Sequence, residues 1–247
     1  MSLLMLTTAA ADAKDIPDWA LPIEDVAGLP RVLLIGDSIA IGYLKATREL
    51  LDGKANVHRP PVNCGPTSRG VAKIDEWLGE GNWDVIHFNF GLHDLKYMDD
   101  GAHQVPPEQY AAKLRDILAK LIATGAKVIW CATTPVPASV GEPPRKPEDV
   151  VTYNEVAAAI MVENEIPIND LYTFALERLE GIQRPENVHF TPEGSAVLAT
   201  KVVAAIEAAL AVEPAETERS TSGMQPTRCT PSLTCSNSGC TVAVASD

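Results

Sequence analysis

Four short clusters of polar residues stand out in the chain, because together they hold the groups that acyl transfer requires. They are Gly-Asp-Ser at 36–38, Asn-Cys-Gly at 63–65, Gly-Leu-His-Asp at 91–94 and Glu-Asn-Val-His at 186–189. A serine hydroxyl is inert at neutral pH until a histidine takes its proton, and that histidine needs an acid to fix its tautomer. The tetrahedral intermediate also needs hydrogen-bond donors, each contributing roughly 3 kcal/mol. The four clusters therefore favour ester hydrolysis.

The segments around these clusters alternate between short apolar runs and helical patterns. The pattern predicts strands at 31–36, 55–59, 83–90, 127–132 and 166–168, and helices at 39–51, up to about 78, 108–124, 148–164 and 192–211. This alternation is typical of an α/β protein with a single doubly wound parallel sheet, flavodoxin-like, with helices on both faces. Ligands bind such sheets at the carboxyl ends of the strands, where the first three clusters fall. The fourth precedes the last helix and could fold back over the same edge.

The four clusters resemble, in order, the conserved blocks of the SGNH (GDSL-type) hydrolase family. The resemblance covers roughly residues 30–210, and it implies the three-layer sandwich of that family. It further implies that Ser38 is the nucleophile and lends its backbone N–H to the oxyanion hole. By the same resemblance Gly65 supplies a second backbone N–H, and His189 is the general base.

The sequence departs from the family pattern at two positions. His93 stands where the family usually has an asparagine that donates to the oxyanion, and a neutral imidazole can still donate one N–H. Alternatively, His93 binds substrate or a metal. Glu186 stands where the family usually has an aspartate three residues before the histidine, and a glutamate serves as the acid in some serine hydrolases. If Glu186 points to solvent, the site is instead a Ser–His dyad.

Two loops, residues 95–107 and the proline-rich 135–147, should form the rim of the pocket. Lys96, Tyr97 and Arg145 in these loops are candidates for contacting a polar or acidic substrate. Few aromatic residues fall there, which disfavours a deep lipid tunnel and favours a short acyl group, such as acetate, on a carbohydrate or another small alcohol. Thioesterase, lysophospholipase and arylesterase activities remain open within the family.

Several other functions compete with ester hydrolysis. A carbohydrate- or ligand-binding protein on the same fold would have no reason to keep both Ser38 and His189. A metal-dependent hydrolase would use His93, Glu186 and His189 as ligands, whereas the serine mechanism requires neither metal nor cofactor. Ser38 as a plain helix N-cap is a further alternative. Cys64 as a nucleophile would need a base of its own.

Composition limits the partners and suggests the domain limits. The 247 residues carry a net charge of −13 and form no basic stripe, which argues against a nucleic-acid partner. No run of eighteen apolar residues predicts a membrane span. Residues 1–29 are expected to form a lead-in whose start resembles the end of a signal peptide, which favours export over a cytoplasmic location. Residues 30–212 form the expected hydrolase domain. Residues 213–247, with Cys229, Cys235 and Cys240, are expected to be a disordered tail.

Overall fold

The computed structural model describes residues 16–139, 141 and 143–212. The start of the chain that resembles the end of a signal peptide, residues 1–13, and the whole of the predicted tail, including its three cysteines, lie outside these residues. In chain order the elements are β1 (Arg31–Ile35), α1 (Ser38–Leu50), β2 (Asn56–His58), α2 (Thr67–Leu78), β3 (Val85–Phe88), α3 (Pro107–Ala123), β4 (Lys127–Cys131), α4 (Pro147–Glu163), β5 (Ile168–Asn169), α5 (Leu171–Leu176), α6 (Leu179–Ile182) and α7 (Pro192–Ala211).

The five strands form one sheet in the order β2-β1-β3-β4-β5, and every neighbouring pair is parallel. Helices α1 and α7 pack together on one face, while α2, α3 and α4 pack in sequence on the other. Residues 32–35 of β1 are all buried, as expected for a strand covered on both faces. The predicted doubly wound α/β fold is therefore confirmed.

The strand order reverses between β1 and β3, and this switch point is where the carboxyl-end crevice of such a sheet opens. The two strands are in register from Val32 opposite Val85 to Ile35 opposite Phe88. Just beyond the last pair, the backbone N–H of Asn89 donates to the Ile35 carbonyl at 3.0 Å. The chain segments that follow β1 and β3 therefore leave the sheet side by side.

The packing of α1 against α7 is unusually close at one point. A Cβ atom placed on Gly42 of α1 would lie 3.2 Å from Oγ of Ser195 in α7. Glycine at this position allows the two helices to approach without displacing the serine.

Helix α7 begins where the sequence predicts it. Thr191 is its N-cap, with the hydroxyl oxygen accepting a hydrogen bond from the Gly194 N–H at 2.9 Å, and Pro192 follows at the first helical position. Among the described residues, α7 is the one helix long and apolar enough to span a membrane. Its Leu198, Val202 and Ile206 are fully buried in the protein core, as in the core helix of a globular domain.

Candidate active site

Ser38 is the first residue of α1 and follows β1 through a two-residue turn. The carboxylate of Asp37 caps the helix, accepting from the Ile39 N–H at 2.9 Å, and is itself buried. A Cβ on Gly36 would lie 2.7 Å from the Cβ of Ala40, so the turn is tight enough to require glycine there. Among the described residues the Ser38 N–H has no acceptor. The turn thus presents a hydroxyl and a free N–H at the switch point.

His189 contacts Ser38 directly. Its Nε2 lies 2.9 Å from Ser38 Oγ, across 151 residues of chain. Its Nδ1 lies 2.7 Å from Oδ1 of Asn187, and the same Oδ1 accepts from the His189 backbone N–H at 2.9 Å. Because Oδ1 can only accept, Nδ1 must carry the proton, and Nε2 is left as an acceptor for the serine hydroxyl. The neutral imidazole of His189 therefore accepts from the Ser38 hydroxyl through Nε2 and donates to Asn187 through Nδ1.

The loop that carries His189 is fixed at both ends. Gln183 and Phe190 form an antiparallel bridge, and the Arg184 N–H donates to the His189 carbonyl at 3.0 Å. The side chain of Gln183 reaches across to the Pro135 carbonyl at 2.8 Å, which ties the loop to the segment after β4. The capped start of α7 then follows directly after Phe190.

Glu186 does not hold the position that the sequence predicts. Its side chain is exposed and makes no hydrogen bond among the described residues, and its backbone is in the left-handed region with φ 51°. This conformation belongs to a tight turn in which the Asn187 N–H donates to the Arg184 carbonyl at 3.3 Å. The turn points residue 186 outward and brings the side chain of residue 187 back to the histidine. The partner of His189 is therefore an amide rather than a carboxylate.

The Asn-Cys-Gly turn lies next to the Ser38 turn, with the Cys64 N–H donating to the Gly36 carbonyl at 3.2 Å. Gly65 has φ 63°, which favours glycine. Its N–H, predicted to be an oxyanion donor, donates to Asn63 Oδ1 at 3.0 Å. An oxyanion would have to share this donor with the asparagine or displace it.

His93 lies in the loop after β3, where the chain turns sharply at Gly91. Gly91 has φ 150°, and a Cβ there would overlap Oγ1 of Thr133, so only glycine fits. The His93 side chain is half-buried and makes no hydrogen bond to another described residue. Burial lowers the pKa of His93. The negative charge of Asp37 raises this pKa, whereas the positive charges of nearby arginine and lysine side chains lower it further. A neutral imidazole with an unengaged N–H is therefore available in this loop.

Asp94 joins the two donor loops. Its Oδ1 accepts from both the N–H of Thr67, at 2.8 Å, and the hydroxyl of Thr67, at 2.5 Å, at the start of α2. Its Oδ2 is buried and has no partner among the described residues. Burial raises the pKa of this carboxyl to about 7, although the Thr67 hydrogen bonds oppose the rise. Asp94 thus holds the loop of His93 against the helix that follows Gly65.

The three predicted rim residues have different surroundings. Arg145 donates from Nε to the Leu92 carbonyl at 2.8 Å, directly beside His93. Lys96 is half-buried, three residues beyond His93. Tyr97 packs instead within the loops, with its ring centroid 4.5 Å from that of His103 and the Lys146 ammonium 4.7 Å above it.

A cleft of about 380 Å³ opens beside the serine and the histidine. Its lining residues come from α1, from the histidine loop and from the start of α7: Ser38, Ile39, Ile41, Gly42, Arg184, His189, Phe190, Pro192 and Ser195. Five of the nine are small or polar, and the other four, Ile39, Ile41, Phe190 and Pro192, are apolar.

The geometry does not support a cysteine nucleophile or a metal site built from the predicted ligands. Burial raises the pKa of the Cys64 thiol to about 11, so this thiol is protonated at neutral pH. Within residues 16–139, 141 and 143–212, no three His, Cys, Asp or Glu side chains lie close enough to share a metal ion, so His93, Glu186 and His189 do not converge.

The remaining histidines have ordinary partners. His58 pairs with Asp25 at 2.5 Å and His103 lies 3.2 Å from Asp149. His87 is buried in β3 beside Asn169 Nδ2 at 3.0 Å, and burial lowers its pKa to about 4. His87 is therefore a neutral core residue, and none of the three takes part in the site.

Comparison with known families gives one match along the chain. The sequence model of the GDSL-like Lipase/Acylhydrolase family matches residues 34–197, a span that includes all four polar clusters. A sequence search of the curated proteins finds no match.

Several solved structures share the fold at low sequence identity. The acetyl xylan esterase AlAXEase is 17% identical with a TM-score of 0.62, and the match covers 71% of this chain and 99% of that one. A lipase/acylhydrolase from Enterococcus faecalis is 17% identical with a TM-score of 0.63, covering 73% and 96%. A GDSL-like lipase from Bacteroides thetaiotaomicron VPI-5482 is 17% identical with a TM-score of 0.60, covering 77% and 94%.

Proposed function

Because the chain belongs to the GDSL-like Lipase/Acylhydrolase family and is a serine esterase acting on small-molecule esters, we propose that it removes a short acyl group, acetyl in the first place, from a small or carbohydrate alcohol. The observation that carries the proposal is the chain of contacts from Ser38 Oγ to His189 Nε2 at 2.9 Å and from His189 Nδ1 to Asn187 Oδ1 at 2.7 Å.

In the proposed reaction, His189 Nε2 takes the hydroxyl proton as Ser38 Oγ attacks the ester carbonyl. The Ser38 N–H, which has no acceptor among the described residues, and the imidazole N–H of His93 stabilise the oxyanion. The Gly65 N–H joins them when it is released from Asn63. His189 then gives its proton to the leaving alcohol, and an acyl-enzyme on Ser38 remains. Water, activated by His189, hydrolyses that ester and regenerates the serine.

Asn187 is the partner of His189 where the sequence predicts Glu186, and an amide affects the histidine differently from a carboxylate. The amide fixes the tautomer and orientation of His189 through Oδ1, but it brings no negative charge to stabilise the imidazolium. Burial lowers the pKa of His189, so the base is neutral and competent at neutral pH.

The short acyl group is supported by the cleft beside Ser38. Its volume is about 380 Å³, and Arg184 and Ser195 interrupt a lining that otherwise includes the apolar Ile39, Ile41, Phe190 and Pro192. We therefore expect rates to fall as the acyl chain lengthens.

The proposal is tested by hydrolysis of p-nitrophenyl acetate, butyrate and octanoate by the wild type and by Ser38→Ala. We expect the wild type to prefer acetate, and Ser38→Ala to retain its circular dichroism spectrum while losing turnover. A preference for octanoate would contradict the acyl-size proposal alone. Background rates with all three esters in both proteins would instead favour a ligand-binding protein on this fold.

A further inference from the structure

Three cationic side chains surround the loops that carry the proposed oxyanion donors. Arg69 donates from Nη1 to the Asn63 carbonyl at 2.9 Å, in the turn that ends at Gly65. Arg145 donates to the Leu92 carbonyl next to His93, and Lys96 follows in the same loop. Burial lowers the pKa of Lys96, and the positive charges of Arg145 and Arg69 lower it further. The three charges are therefore close enough to repel one another.

None of the three forms an ion pair with an acidic side chain of residues 16–139, 141 and 143–212. Of the fourteen other arginines and lysines in these residues, seven form an ion pair, as Arg115 does with Glu163 at 2.5 Å. A group of unpaired cations costs free energy through mutual repulsion, which an anion between them would relieve.

The guanidinium groups are held in place and still have donors to offer. Arg145 uses Nε for Leu92 and Nη1 for the Pro143 carbonyl at 3.1 Å, both on the backbone. Arg69 uses Nη1 alone, for Asn63. Since each guanidinium has five N–H donors, both retain unengaged ones. A guanidinium fixed by backbone carbonyls is preorganised to bind a carboxylate with its remaining donors.

Two carboxyl groups of the site do not neutralise the cluster. Asp37 accepts a hydrogen bond as the N-cap of α1, and its single charge raises the pKa values of both His93 and Arg145. Asp94 is directed to Thr67 and is fully buried. Among the described residues, neither carboxyl group forms an ion pair with Arg69, Lys96 or Arg145.

We propose that the alcohol part of the substrate carries a carboxylate, which binds between Arg145, Lys96 and Arg69. The substrate class is then an O-acyl hydroxy acid, of which an acetylated acidic sugar is one form. This inference rests on the proposed short-acyl esterase function. The charge falls on the alcohol part because an acetyl group carries none.

The test compares two aryl acetates of nearly equal size and leaving-group acidity, 3-acetoxybenzoate and the neutral 3-acetoxybenzamide. We expect kcat/KM at low salt to be at least about tenfold higher for the anionic ester. The ratio should fall toward one as ionic strength rises to about 1 M, where the screening length is only about 3 Å.

Three variants assign the preference to named residues. Lys96→Gln and Arg69→Gln should each lower the ratio several-fold, and Arg145→Gln should lower it most. Because Arg145 also ties two loops together, thermal unfolding checks that the Arg145→Gln variant is folded. Lys96→Gln tests the preference independently of that contact. Arg115→Gln, a matched charge removal on α3, should leave the ratio unchanged.

Equal kcat/KM for the two esters would overturn the inference and leave the esterase function intact. An equal loss on both esters in the Lys96 and Arg69 variants would also overturn it, because the cations would then act on the oxyanion. If neither aryl acetate were hydrolysed, the proposed function would fail and this inference with it.

Discussion

The side-chain oxygen of Asn187 accepts two hydrogen bonds from one residue, His189: from the ring Nδ1 at 2.7 Å and from the backbone N–H at 2.9 Å. Two donors on one oxygen determine which end of the amide faces the histidine. The proposed base is thus oriented by a neutral group two residues before it in the chain. In the better-known arrangement a carboxylate does this, and its charge also stabilises the imidazolium.

The first prediction concerns Asn187 and its neighbour Glu186. Asn187→Ala should lower kcat roughly 10- to 100-fold, because His189 loses the group that fixes its tautomer but is still present as the base, whose whole contribution is typically about 100- to 10,000-fold. Glu186→Gln is the matched control, because that side chain is exposed, and its kcat should stay within about twofold of wild type. Steady-state kinetics on p-nitrophenyl acetate measure both. A large loss in Glu186→Gln with a normal rate in Asn187→Ala would return the role to the glutamate.

The second prediction concerns the pH dependence of kcat/KM. His189 acts as base only when neutral, so kcat/KM should rise with pH and level off above the pKa of His189. Burial lowers that pKa below the ordinary value of an imidazole, so the plateau should already be reached near neutral pH.

Two variants identify the group that titrates. Asn187→Asp should move the inflection to higher pH, because a carboxylate at this position stabilises the imidazolium. A limb near pH 7 that disappears in Asp94→Asn would belong to Asp94 and would contradict the assignment to His189.

The third prediction concerns His93. His93→Ala should lower kcat by roughly 100-fold if the imidazole donates to the oxyanion in the transition state. His93→Asn, which restores an amide donor, should recover part of that loss. A change confined to KM would identify His93 as a substrate contact instead.

The fourth prediction concerns the stability contributed by Asp94. Its pKa is raised in the folded protein from 3.8 to about 7, so the folded state binds the proton more tightly than the unfolded state. The stability that this provides is present at low pH and is lost as pH rises toward and through about 7. Asp94→Asn does not titrate, and its amide oxygen can still accept from Thr67.

Urea unfolding at pH 5.5, 6.5, 7.5 and 8.5 tests this sign. The unfolding free energy of Asp94→Asn minus that of wild type should increase with pH and become constant above about pH 8. A difference that decreases with pH would mean that the ionised carboxylate is the stabilised form.

Much of the fold could be predicted because its signals are local. The apolar run before Gly36 gives β1, and Thr191-Pro192 gives the start of α7 at the observed residue. Helices α5 and α6 were missed because four to six residues are too few to show a helical period. Strand β5 comes one to two residues later than predicted, at the exposed edge of the sheet, where Ile168 is not buried.

The site was predictable as far as the residues Ser38 and His189, because the cluster before the last helix could fold back over the sheet edge at which Ser38 lies. The partner of His189 was not, because it depends on a turn rather than on spacing alone. An asparagine two residues before a histidine can form an Asx turn, and that was the available signal. The engagement of the Gly65 N–H by Asn63 arises from the same type of turn.

The close approach of Gly42 to Ser195 lies about one helical turn from the reacting groups. Ser38 begins α1, and His189 lies just before α7, so the separation of Oγ and Nε2 is governed by how deeply these two helices sit against each other. The residue at position 42 therefore limits how closely α1 and α7 approach each other. A larger side chain there would part the proposed nucleophile from its base while the sheet stayed intact, so the enzyme could lose its rate well before it lost its fold.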